Sequence, residues 1–222
     1  MRKSLLFAAL ALACMRANGE SWSIGAGTGP FIFGRFAERS ITIMNEGGTG
    51  TTRSRLSAAT RPGAVVDLER DLGDRFAFGI QGTWTRAPLR IKSASGNQGI
   101  TLDAGRVNVT TFVAPVVFRI NPRGAFRFHL LAGPAYALYS VHRRGAGGVT
   151  SPLFDGTRGR WGGAAGAGVG WWWRPRFAVE WQVEDIVTSS PLRPTDIAPS
   201  GQGVHIPKPQ NGHTSIGIRY RF

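Results

Sequence analysis

Apolar and polar residues alternate with period two over most of this chain. The last ten residues show it most cleanly. Thr214, Ile216, Ile218, Tyr220 and Phe222 fall on one side of a strand, and His213, Ser215, Gly217, Arg219 and Arg221 on the other. One side is apolar apart from a threonine, and the other carries two full charges. That division suits a wall with lipid outside and a polar interior. The same alternation predicts seven earlier strands: Trp22 to Phe33, about Arg53 to Leu68, Arg75 to Arg86, about Arg106 to Ile120, Ala125 to Val141, Trp161 to Trp173 and Arg176 to Thr188. Each reaches the roughly 9–11 residues that a tilted strand needs to cross a bilayer.

Short and long connections alternate. Glu69 to Asp74, Asn121 to Gly124 and Arg174-Pro175 are tight and rich in Asn, Asp, Pro and Gly. Residues 34–52, 87–105, 142–160 and 189–212 are expected to be long loops, the last of them mobile and patterned only by Pro and Gly. The fold class is therefore all-β: an eight-stranded antiparallel up-and-down transmembrane β-barrel with both termini on one side. Closure has a physical reason. In lipid every backbone N–H and C=O must be paired, and an open sheet leaves an unpaired edge.

The strand phases agree with a barrel. Phe76, Phe78, Ile80 and Trp84 share a face opposite Ala77, Gly79, Gln81, Thr83 and Thr85. Phe177, Val179, Trp181 and Val183 oppose Ala178, Glu180, Gln182 and Glu184. In the second strand Leu56, Ala58, Ala64, Val66 and Leu68 are expected to face lipid, opposite Arg55, Ser57, Arg61, Asp67 and Glu69. The fourth strand has Val107, Val109 and Val113 on one face and Phe112, Val116 and Phe118 on the other, which leaves its register open. Aromatics form two bands. Phe76, Phe126, Trp171, Trp173, Phe177, Tyr220 and Phe222 lie near the short turns, and Trp84, Tyr136 and Trp161 near the long loops. Over nearly its full length after residue 19 the chain resembles the small OmpA/OmpX-like outer-membrane barrels. The resemblance rests on this pattern and on the closing Tyr220-Arg221-Phe222. It implies a bacterial outer-membrane protein with periplasmic termini. It also implies that Ile216, Ile218, Tyr220 and Phe222 act as the signal read by the barrel-assembly machinery.

The first residues set the compartment. Met1-Arg2-Lys3 followed by the apolar stretch Leu5 to Met15 reads as a signal peptide, with cleavage expected after Gly19. Residues 1–19 are thus the signal and 20–222 the barrel domain. The only cysteine, Cys14, would leave with the signal, which excludes disulfides from the mature domain. The formal charge of +14 drops to +11 without Arg2, Lys3 and Arg16. Without a nucleic-acid motif, such an excess points to phospholipid head groups or lipopolysaccharide phosphates.

Candidate chemistry follows from the inward set. Arg61, Asp67, Glu69, Arg127, His129, Glu180, Glu184, Arg219 and Arg221 are expected to form a polar lumen network, read as a packed ionic core in preference to a pore or proton path. Gly162, Ala164, Gly166, Gly168 and Gly170 leave room for bulky side chains from the facing wall. His213-x-Ser215 resembles the His-x-Ser pair of outer-membrane lipid A deacylases, but the parity turns both side chains inward, and the downstream orienting Glu of those enzymes has no counterpart. No catalytic residue, metal site or cofactor is assigned, because His129, His142, His205 and His213 lack ligand spacing. In the loops, Arg143, Arg144, Arg158 and Arg160 are the candidate anion contacts. The expected role is structural or adhesive, as a monomer in contact with outer-membrane lipid and lipopolysaccharide; a narrow channel and a lipid-modifying hydrolase are the alternatives.

Overall fold

A computed structural model describes residues 21–45, 48–95, 98–143, 154–197 and 203–222. The signal segment, Cys14 and Arg144 lie outside these. Eight staves close into an antiparallel barrel. The first stave is β1 (Trp22–Phe33) continued by β2 (Arg35–Asn45), and the second is β3 (Gly48–Ala58) with β4 (Arg61–Asp71). β5 (Phe76–Ser95) is the third, and β6 (Gln98–Val113) with β7 (Val116–Arg119) the fourth. β8 (Phe126–Arg143), β9 (Gly156–Arg174), β10 (Phe177–Thr188) and β12 (Gln210–Arg221) complete the wall, while the two-residue β11 (Val204–His205) pairs with β2. β12 closes the barrel on β1 from Ser23↔Arg221 to Phe33↔Asn211.

Register sets the tilt. From Trp84, cross-strand partners lead through Thr110 and Leu138 to Gly159 on β9. In the other direction they lead through Ala64, Thr28, Ile216 and Trp181 to Val169. The two paths end ten residues apart on the same strand. With a rise of ~3.3 Å per residue and ~4.8 Å between strands, that stagger tilts the staves by about 40°. Each residue then adds about 2.5 Å of height. Phe76 and Trp84, eight residues apart on one outward face, bound a lipid-facing band about 20 Å tall. Ring contacts run along its lower edge: Phe126–Trp171, Trp171–Trp173, Trp173–Phe177, Phe177–Tyr220 and Tyr220–Phe222. Trp84, Tyr136 and Trp161 stand at the upper edge, with Tyr136 packed on Trp161.

Four sequence expectations change. Residues 34–52 and 87–105 are not loops along their length. β2–β3 and β5–β6 carry on as paired hairpins above the band. Described outward positions there include Arg35, Arg55, Arg86, Arg90 and Lys92, so the apolar alternation that marks a membrane stave stops while the pairing continues. The second stave changes phase at Ala59-Thr60, where Ala59 N–H bonds to Pro88 C=O. Above that break Leu56 and Ala58 point inward and Arg55 outward. The fourth stave is regular: Val107, Val109, Thr111, Val113, Val117 and Arg119 all face in, and only the missing N–H of Pro115 interrupts its pairing. Its register looked ambiguous because its inward face is apolar. Finally, the described parts of 189–212 pack onto the mouth. Leu192, Pro191 and Pro209 are buried there, and Pro194–Asp196 forms a 3-10 turn.

Candidate functional site

The lumen is filled in two halves of different chemistry. The lower half, nearest the short turns, is ionic. Arg219 on β12 reaches three carboxylates: Glu180 at 2.7 Å, Asp67 at 2.9 Å and Glu69 at 3.0 Å. It also donates to Ser23 Oγ at 3.1 Å. Glu180 faces His129 Nε2 at 3.4 Å. One layer below, Arg119 bonds Asp71 at 2.5 Å and approaches Glu69 at 3.5 Å, while Arg221 meets Asp71 at 3.3 Å. Arg127 and Arg221 both lie over the Trp172 ring, at 4.5 and 4.9 Å. A vestibule of about 520 Å³, lined by Asp71, Arg119, Arg123 and Arg221, opens at this end and stops at the ionic layer.

Small residues on the inner wall make the close approaches feasible. A Cβ at Gly168 would stand 2.5 Å from His129 Nε2, and one at Gly25 would collide with the Asp67 carboxylate. The charged layers therefore need glycine opposite them.

Above the ionic layers Glu184 accepts from Gln81 at 2.5 Å and Gln182 at 3.0 Å, and lies 3.7 Å from His213 Nε2. The His213 ring is buried and stacks on Phe31 with centroids 4.7 Å apart. Asn211 then donates to the Tyr139 hydroxyl at 2.6 Å, which also bonds Thr188 at 2.7 Å.

From Tyr139 upward the interior is apolar. Phe31, Phe33, Phe36, Leu56, Leu89, Val107, Val109 and Val141 form one core, closed above by Leu192, with Ile197 and Ile206 against it. The covering segment is tied down by arginines. Arg160 donates to Ser190 C=O at 2.7 Å, and Arg158 to Pro191 C=O at 2.9 Å. Arg158 also forms a two-point ion pair with Asp196, which in turn accepts from Arg193 N–H at 2.6 Å. Burial pushes the Asp196 carboxyl up, but these bonds outweigh it and hold the group below its usual range.

The structure thus gathers Asp67, Glu69, His129, Glu180 and Arg219 at one level, with Arg221 just below and Glu184 one layer above. Arg127 stands on Trp172 at the lower, short-turn end. Arg61 is exposed just below the phase break and is not buried in the lumen. Arg158 and Arg160 are engaged with the covering segment and do not project as free anion contacts. Arg143 is exposed at the end of β8. Ile216 and Ile218 face outward in the band, and Tyr220 and Phe222 meet edge to face at its lower edge. Sequence reasoning missed Arg119 and Asp71. The odd parity shared by Val113, Val117 and Arg119 was the available signal for the first; Asp71 sat in a stretch read as turn. Ser215 and His213 are both buried, so the His-x-Ser pair has no exposure to lipid. Among the described residues no group of His, Cys, Asp and Glu has the arrangement of a metal site.

No protein-family model matches the sequence, and no curated protein matches it. Solved structures do match in shape. OprG from Pseudomonas aeruginosa superposes with a TM-score of 0.59 at 11% identity, covering 91% of this chain and 95% of that one. The fold is that of a small outer-membrane β-barrel. Neisserial surface protein A gives 0.51 at 12% identity over 92% of this chain and all of the other, and outer membrane protein AlkL 0.50 at 12% over 92% and 91%. At such identities the likeness is one of fold alone.

Proposed function

We propose that this chain is a sealed, monomeric OmpA/OmpX-like barrel of the bacterial outer membrane, with both termini in the periplasm. Its role is structural or adhesive and is exercised by its extracellular end. One observation carries this reading: the lumen is occupied along its whole height. Ion-paired arginines fill the lower half and an apolar core the upper half, and two interior cavities between the charged layers hold about 20 Å³ each, room for a single water. A conducting path needs a continuous wet column, and an apolar core about Tyr139 opposes one. The second support is the continuation of the staves above the lipid band, which gives the outer end a rigid sheet in place of slack loops. The buried setting of Ser215 and His213 speaks against lipid hydrolysis, so the barrel is not assigned an enzymatic role.

The test is solute flux. Proteoliposomes containing the refolded chain should swell in arabinose no faster than empty liposomes. Swelling at porin-like rates would overturn the sealed reading.

A further inference from the structure

The outward face of β3, β5 and β6 above the aromatic edge carries a concentration of positive charge that outnumbers the acids beside it. On β5 the lipid-facing row runs Phe76, Phe78, Ile80, Trp84 and then turns basic at Arg86, Arg90 and Lys92, all exposed. Lys92 lies directly opposite Arg55 on β3, and Arg90 opposite Ser57. Arg106 on β6, also exposed, is paired with Pro88 between Arg86 and Arg90.

Two cations placed directly across a strand pair repel one another. The local acids are few. Glu38 is shared between Arg35 at 2.6 Å and Arg55 at 3.3 Å, and Asp103 stands opposite Arg90. Arg86, Lys92 and Arg106 add to the surplus. Among the described residues, β10 on the far wall carries no such ladder. At the corresponding edge β10 presents Asp185 and Val187, flanked in register by Ala165, Gly163 and the glycine-bearing β12.

Height identifies the ligand. At about 2.5 Å per residue, Arg86 stands about 5 Å above Trp84, Arg90 about 15 Å and Lys92 about 20 Å. Arg86 is therefore level with lipid head groups, whereas Arg90, Lys92 and Arg55 are level with sugars attached to a lipid. A phospholipid carries its phosphate at one level only. A glycolipid with phosphates on both its lipid-anchored sugars and its inner core matches the whole ladder. Guanidinium groups suit it, because their planar forks bind phosphate oxygens in pairs.

We infer that the wall formed by Arg55, Arg86, Arg90, Lys92 and Arg106 is a binding site for the phosphorylated head and inner core of lipopolysaccharide, docked on one side of the barrel. This inference rests on the outer-membrane reading above and gives it a location. It also replaces Arg158 and Arg160 as the anion contacts.

The experiment uses the refolded chain in detergent micelles, titrated with lipopolysaccharide and followed by native mass spectrometry. Arg55→Gln/Arg90→Gln/Lys92→Gln should bind lipopolysaccharide at least tenfold more weakly than the parent. Arg174→Gln/Arg176→Gln, exposed cations at the opposite end, should bind as the parent does. Phosphatase-treated lipopolysaccharide should bind the parent as weakly as the intact lipid binds the triple variant, and rising salt should weaken only the intact lipid. Millimolar inorganic phosphate should fail to compete; full competition would mean a free-phosphate site and overturn the lipid assignment. Equal binding by parent and triple variant, or by treated and intact lipid, would also overturn it. Gel mobility of unboiled samples, measured alongside, reports barrel closure separately, so a folding failure is distinguished from a binding failure.

Discussion

Arg219 Nε donates to Glu180 Oε2 at 2.7 Å across the β10–β12 pair, and both side chains are turned into the barrel. The contact joins adjacent staves next to the seam where β12 closes on β1. Arg219 Nη2 reaches Asp67 and Glu69 on β4, on the far side of that seam, and Nη1 donates to Ser23 Oγ on β1. One guanidinium thus ties four staves together.

Removing it takes the cation from Asp67 and leaves Glu69 and Glu180 with only the longer contacts to Arg119 and His129. Arg219→Met should cost ~3–5 kcal/mol, the usual loss when one partner of a buried ion pair is deleted. Urea unfolding of the barrel in lipid vesicles, followed by tryptophan fluorescence, should show the midpoint fall. Adding Glu180→Gln should restore part of the loss, and strict additivity of the two changes would contradict the coupling.

The glycine at 168 serves His129. A Cβ there overlaps the imidazole, so Gly168→Ala should destabilise by ~1–3 kcal/mol, as overpacking generally does. His129→Ser should relieve part of the clash in the double variant, with the Trp181 carbonyl oxygen at 2.9 Å remaining. If Gly168→Ala is neutral, the inner wall has slack that the geometry does not show.

At the mouth, the anchoring of the covering segment should depend on pH. The Asp196 carboxyl is held below its ordinary value in the folded state, so its contribution is complete above the unfolded value near 3.8 and is lost as pH falls through the lower folded one. A nitroxide at Thr195→Cys should be immobile at pH 7 and become mobile only in strong acid. Asp196→Asn should make it mobile throughout. A label whose mobility ignores both changes would remove Asp196 from the anchor.

The apolar half depends on Leu192, which lies buried at the top of the core. Leu192→Ala should cost ~2–5 kcal/mol if the segment is part of the folded core. A change within ~0.5 kcal/mol would mark it as a surface loop.

Much of the wall was legible before any coordinates. Outward Phe76, Phe78, Ile80 and Trp84 against inward Gln81 and Thr83 follow from period two alone, because a lipid-facing row and a filled interior demand opposite chemistry. The pattern misled where that premise failed. Leu56, Ala58, Val107 and Val109 are apolar and yet inward, since the upper lumen is a hydrophobic core; polarity there no longer tells inside from outside. The hairpin segments β2 and upper β5 lost the apolar alternation because outward positions such as Arg35, Arg90 and Lys92 rise above the aromatic edge while Phe36 and Leu89 still face the core; backbone pairing continues. The grouping of Glu69, Asp67 and Arg219 needed the β1–β4 and β1–β12 registers, which no local pattern encodes. Arg158 and Arg160 looked like free loop cations because their partners, the Ser190 and Pro191 carbonyls and Asp196, lie some thirty or more residues away in sequence.

The central claim is that the lumen is sealed, and ion conductance across a planar bilayer tests it most directly. Refolded protein should first be shown inserted, by unboiled gel mobility and by protection of its membrane staves from protease in vesicles of the same lipid. The parent should then give no discrete current steps above the bare bilayer in 1 M KCl at ±100 mV, test conditions of about that size being ample to register a small open barrel. Reproducible ohmic steps from the inserted parent would contradict the proposed seal at the Arg219 layer and the core above Tyr139.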